Sequence, residues 1–212
     1  MNCHLCEQRK PRRFCPARGE SICSICCGTE REVTIDCPAD CIHLIESRRH
    51  ETRRPLREPV DLPFGEVHVP SSFVDAHGQL ILALSYAVCA YARDRRELAD
   101  VETIAALQSL AESYRTRANG IYYEKPPDAA LERGLYDALK EAIEEFKKSE
   151  ERRAGFSGLR DSEIRDGLIL LAQIGARRTN GRPRGRAYLD LLRSQFKREE
   201  FARSAQSAIV IP

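Results

Sequence analysis

From residue 71 onward, apolar residues recur every three or four positions, the period of a helix with one buried face. A first helix is expected over about 71–92, capped by Ser71 or Ser72. A second, over about 94–118, carries Leu98, Val101, Ile104, Leu107, Leu110 and Tyr114 and stops at Asn119-Gly120. A third, over about 128–153, has Leu131, Leu135, Leu139, Ile143 and Phe146 on one face and charge on the other. A fourth, over about 161–176, uses Ile164, Leu168, Leu171 and Ile174. A fifth, over about 186–203, uses Tyr188, Leu191, Leu192 and Phe196. About five amphipathic helices with short connections predict a mostly α protein, with an all-α bundle over 71–206.

The pattern is absent before residue 71. Prolines at 55, 59, 63 and 70 mark 46–70 as a Pro/Arg-rich linker, with room for a short helix over Glu46–Arg54. Residues 1–45 hold few large apolar side chains, chiefly Leu5, Phe14, Ile22, Ile25, Val33, Ile35, Ile42, Leu44 and Ile45. That is too little to fold a segment of this length by hydrophobic burial alone. At the other end, 207–212 is a short apolar tail, expected to pack on the bundle or to add a strand to a partner's sheet.

Composition changes this picture at one place. Eight of the nine cysteines, Cys3, Cys6, Cys15, Cys23, Cys26, Cys27, Cys37 and Cys41, lie in the first 41 residues, with His43 just beyond. No secretory signal is read before Cys3, and the longest apolar stretch, Leu80–Ala92, is too short to span a bilayer. A cytoplasmic location without membrane contact is therefore expected, and thiols there stay reduced. Reduced thiols at this density point to metal. Eight supply two tetrahedral zinc sites, and such closed sites are structural. A C-x2-C pair lets both sulfurs face one ion, and Cys26 and Cys27, as neighbours in extended backbone, would face different ions. The preferred partition puts Cys3, Cys6, Cys23 and Cys26 on one zinc and Cys15, Cys27, Cys37 and Cys41 on the second, with His43 as an alternative ligand in place of Cys41 or Cys15. An iron–sulfur cluster is the alternative cofactor. Cys89, alone on an apolar helix, reads as a small buried hydrophobe.

The opening C-x2-C, the C-S-x-C-C of residues 23–27 and the closing C-x3-C-x-H of residues 37–43 broadly resemble the two-zinc modules of the RING, B-box and HIT-finger type. The resemblance covers about the first 45 residues. It departs from those families at Cys15, which stands alone where a second ligand pair is usual. It implies a metal-stapled scaffold whose loops bind something.

Charge adds a second candidate chemistry. The net charge of +2 conceals an acidic body between a basic head and a basic loop, residues 175–186, with five arginines and no acid. Arginine pairs well with phosphate, so Arg12, Arg13, Arg53, Arg54, Arg182, Arg184 and Arg186 are candidate nucleic-acid contacts. The competing expectation is a solvated or docked surface that offsets the acids. Tyr122 and Tyr123, in the loop after the second helix, are expected to fold back onto the core rather than stack on bases. No nucleotide-binding glycine loop, nucleophile elbow or H-E-x-x-H is present, so neither catalysis nor a small-molecule substrate is inferred. The sequence predicts a non-enzymatic adaptor that binds an unknown protein partner through its zinc module, with nucleic-acid binding as the alternative.

Overall fold

The computed structural model describes residues 2–52, 61–120, 123–156 and 158–197. Arg53, Arg54, Tyr122, the tail 207–212 and the far end of the expected fifth helix lie outside the described residues. The protein is mostly helical. Seven helices occur among the described residues: two short ones precede residue 71 and five follow it. The chain begins with a hairpin of β1 (Arg13–Cys15) and β2 (Glu20–Ile22), antiparallel, with Phe14 opposite Ser21. Then come α1 (Ser24–Glu30) and α2 (Ile42–Thr52), and after residue 60 α3 (Ser71–Arg93), α4 (Asp100–Ala118), α5 (Ala130–Ala154), α6 (Asp161–Arg178) and α7 (Ala187–Arg193).

The helix ends follow local chemistry more closely than periodicity. Ser71 and Ser72 do not cap α3; Pro70 holds the cap position, with no side-chain hydrogen bond. α4 starts at Asp100, six residues later than periodicity suggests. There the Ala99 N–H donates to the Glu102 carboxylate at 3.0 Å. Leu98 is fully buried, but from the connecting turn rather than from the helix. Asn119-Gly120 closes α4, with Gly120 at φ 78° donating its N–H to Arg117 O. That left-handed backbone is what glycine accepts without strain.

α4 lies along α6, and α3 packs against α5, α6 and α7. The shared core includes Leu80, Leu84, Val88, Leu107, Leu110, Leu139, Ile143, Leu168, Leu171 and Tyr188. α3 is the one described helix long and apolar enough to cross a bilayer, and its residues Leu80, Leu84, Val88, Cys89 and Ala92 are buried in this core. Cys89 sits there as expected, and burial pushes its thiol up to about 12. Gln173 ties residues 63–67 to the bundle by donating to the carbonyls of Pro63, Phe64 and Val67.

A second core, small and sulfur-rich, holds Cys3, Cys15, Ile22, Cys23, Cys26 and Ile35. It is joined to the bundle through Glu32, which is 3% exposed and sits at φ 53°. The Glu32 carboxylate accepts from Arg48 at 2.7 Å and from Asn180 at 2.7 Å, and its carbonyl accepts from the Arg184 N–H at 2.9 Å. Arg48 also pairs with Asp190 of α7. Arg182 donates to the carbonyls of Arg31 and Gly28. α2, which carries Arg48, runs through the expected module–linker boundary at residue 45.

Glu32→Ala leaves Arg48 and Asn180 without their shared buried acceptor. We expect it to cost about 3 kcal/mol in urea unfolding, the low end for breaking a buried pair because Arg48 keeps Asp190. A second test concerns Asp100, fully buried, whose carboxylate accepts the first free N–H groups of α7 from Tyr188 and Leu189, both at 3.1 Å. Burial pushes this carboxyl up to about 6 against the lowering effect of those donors and of Thr179. A carboxyl raised in the folded state keeps its proton there longer than in the unfolded chain. Its contribution to stability is thus greatest below about pH 4 and falls as pH rises towards about 6. Asp100→Asn removes the titration. The stability difference, wild type minus variant, should decline across that window and stay level above it in urea denaturation at stepped pH.

Candidate metal centre

Two turns and one short helix deliver the four sulfurs. After Cys3 the chain folds sharply: the Glu7 N–H donates to Cys3 O at 2.8 Å, the Cys3 N–H to Arg9 O at 2.8 Å, and Glu7 takes φ 55°. This brings Cys6 back beside Cys3. The hairpin then carries the chain through Ile22 to Cys23, which is the N-cap of α1 and accepts the Cys26 N–H on its sulfur at 3.4 Å. A sulfur here does the work usually done by a serine or aspartate oxygen. Cys26 lies in the first turn of α1 and points the same way.

The result is a four-thiol cluster. The Sγ atoms of Cys3, Cys6, Cys23 and Cys26 all lie within 4.8 Å of one another. All nine cysteines are free thiols. A tetrahedron with metal–sulfur bonds of about 2.3 Å has sulfur–sulfur edges of about 3.8 Å, so one ion fits with little adjustment.

Electrostatics favour a cation at the centre. Burial raises the Cys3 thiol, but N–H donors from Cys23 (3.1 Å to its sulfur), Leu5 and Cys6 outweigh it and hold the thiol down at about 6. Backbone donors of Gln8 and Arg9 likewise lower Cys6. Cys26 goes the other way, up to about 12, first through its hydrogen bond with Cys23 and then through burial. Backbone N–H groups thus prepare some of these sulfurs for negative charge, while crowding prevents all four from carrying it together. A metal ion removes that conflict. Arg9 stands beside the cluster, and its bond to Cys23 and the charge of Cys6 raise its own pKa.

The other predicted ligands are arranged differently. Cys15, Cys27, Cys37 and Cys41 do not form a second cluster of this kind among the described residues. Cys26 and Cys27 are not in extended backbone, as expected, but adjacent on α1, where neighbouring side chains diverge by about 100°. Cys27 therefore turns away from the cluster and accepts from Arg13 at 3.5 Å and Arg31 at 3.8 Å. Cys37 is pushed up by burial, against a backbone hydrogen bond from Glu32, and further by the nearby charges of Cys41, Glu32 and Cys15. Those three cysteines are neighbours without being gathered. His43 lies outside the four-thiol cluster; its Nδ1 is 3.6 Å from a Glu46 oxygen on α2.

The arginines proposed for nucleic acid also divide. Arg12 and the side chain of Arg184 are exposed, and Arg13 is half-buried on Cys27. Arg182 is the clamp on Arg31 and Gly28. Arg186 donates to the carbonyls of Arg96 and Ala92 at the end of α3. The loop expected to drape on a phosphate backbone thus holds the Cys-rich segment against the bundle. Tyr123, expected to fold inward, is 59% exposed. The residue missed by sequence reasoning is Glu32. An isolated glutamate in a charged stretch gives no signal of burial, and only its partners at 48 and 180 reveal it.

Cys23→Ser removes a sulfur that both caps α1 and joins the cluster. Protein expressed without added metal should lose one metal equivalent per chain by elemental analysis, whereas Cys89→Ser should lose none. No protein-family model, curated protein or solved structure matches this chain.

Proposed function

We propose that the Cys-rich segment is a zinc-stapled, non-enzymatic adaptor module that binds a protein partner in the reducing cytoplasm. One zinc is held by Cys3, Cys6, Cys23 and Cys26. The span of 4.8 Å suits a single ion, whereas a multi-iron cluster puts sulfide between its irons and needs its thiolates further apart. Zinc bound this way supplies on the order of 10 kcal/mol of folding free energy. A second zinc on Cys15, Cys27, Cys37 and Cys41 is supported by the nearness of Cys15, Cys37 and Cys41, and it requires Cys27 to leave its two arginines.

The observation that carries the partner reading is the module's surface. Five large apolar side chains between residues 14 and 45 are exposed, led by Ile42 at 66%, Phe14 at 63% and Ile25 at 53%. A module stapled by metal has no need of them for its core. Exposed apolar side chains on a rigid scaffold are the raw material of a protein interface. Against nucleic acid stands the internal use of Arg182 and Arg186.

Metal analysis of protein purified without metal supplement should give zinc and no visible absorbance, with two equivalents per chain if Cys27 turns to the second site and one if it does not. For the partner, proximity labelling in the native cell should mark a defined protein with wild type. Phe14→Ser with Ile25→Ser should lose that mark while keeping its zinc. An unchanged mark would overturn the interface. Retention on nucleic acid that falls steeply with salt, and with Arg12→Gln and Arg184→Gln, would favour the alternative.

A further inference from the structure

The seam between the Cys-rich segment and the bundle is not closed. A cleft of about 340 Å³ remains between residues 36–40 and the adjoining ends of α3 and α7. Five arginines line it, Arg48, Arg93, Arg96, Arg186 and Arg193, against three aspartates, Asp36, Asp40 and Asp190. Several of these arginines are fixed by the fold. Arg186 and Arg193 both donate to Ala92 O, in the last turn of α3, at 3.4 and 3.1 Å. Arg48 is held by Glu32 and Asp190. A guanidinium carries five N–H donors, so the bonds of Arg186 and Arg193 set their position without exhausting them. Arg96 is only loosely engaged, 3.8 Å from Asp36 and largely exposed.

Acids just outside the lining offset part of this positive charge, Glu32 on Arg48 and Asp94 on Arg93. Arg186 is lowered from its ordinary value by burial and then by repulsion from Arg193 and Arg48, against the smaller opposing pull of Asp100 and Asp36. An anion with several acceptor oxygens relieves that repulsion. Guanidinium forks match phosphate in geometry as well as charge. The lining contains no aromatic ring, so there is no platform for a base. What suits the cleft is one compact dianion, and its volume lies at the low end of ligand sites, about 300–1,000 Å³.

We propose that this cleft binds a phosphomonoester, carried on a phosphorylated side chain of the protein partner. The carrier rests on the adaptor reading above; the cleft's anion chemistry does not. Binding there would bridge α3, α7 and the Cys-rich segment, so a phosphorylated partner would read the seam as well as the module surface.

The test uses the full-length, zinc-loaded chain and calorimetric titration with blocked phosphoserine, blocked serine, inorganic phosphate and a uridine oligonucleotide. Blocked phosphoserine should bind saturably and blocked serine should not. Arg93→Gln with Arg96→Gln should weaken phosphoserine by about tenfold or more while the unfolding midpoint stays in place; these two arginines lie outside the Glu32 network. Phosphoserine no better than serine, or unaffected by the double variant, overturns the proposal. Inorganic phosphate binding with phosphoserine excluded overturns it in favour of a free anion. Oligonucleotide binding that needs Arg93 and Arg96, without phosphoserine binding, overturns it in favour of nucleic acid. Each of these outcomes leaves the Phe14 and Ile25 experiment untouched, so the two readings fail separately.

Discussion

Four sulfurs held within 4.8 Å of one another constrain everything around them. They cannot all be charged without a counter-ion, and as neutral thiols they give little reason for the chain to turn so sharply at Glu7 or to cap a helix with Cys23. Backbone N–H groups of residues 5, 6, 8 and 9 and of Cys23 and Cys26 are nevertheless aimed at them. The β hairpin, the start of α1 and the first turn are all arranged by that convergence. The hydrophobic contribution is small by comparison: among the described residues, the large aliphatic side chains buried in this core are Ile22 and Ile35.

The second constraint is the buried carboxylate of Glu32. It gathers Arg48 from α2 and Asn180 from the loop after α6, two residues 132 positions apart in sequence, and its backbone holds Arg184. Arg182 completes the clamp. A carboxylate enclosed this way is expensive to bury and is retained only with its partners. The cost brings specificity: the loop 177–186 has one place to sit. That same docking leaves the arginines at the ends of α3 and α7 facing a cleft, which is how a structural seam comes to offer an anion site.

The helices were legible because their chemistry is local. Leu131, Leu135, Leu139 and Ile143 repeat at the helical period, and Gly120 and Gly155 end their helices with the left-handed turn that glycine favours. Leu98 shows where this fails. Its spacing matches the α4 face, yet the side chain reaches the core from a turn, because periodicity records burial and not backbone conformation. The thiol cluster was legible for a similar reason: C-x2-C is a local chelate, and two of them had only to meet. For Cys27 only the backbone differs from the expectation: the residue lies on α1 rather than in extended chain, and its direction follows from the helix.

The sequence by itself determined a helical bundle, a segment too poor in apolar residues to fold on them, and which four sulfurs could converge. All of these follow from spacing along the chain. Only the tertiary structure decided what the arginines do. A guanidinium looks the same in sequence whether it faces solvent, a phosphate or a buried carbonyl. Its role is set by acceptors brought from far away, Glu32 for Arg48, Gly28 and Arg31 for Arg182, and Ala92 for Arg186 and Arg193.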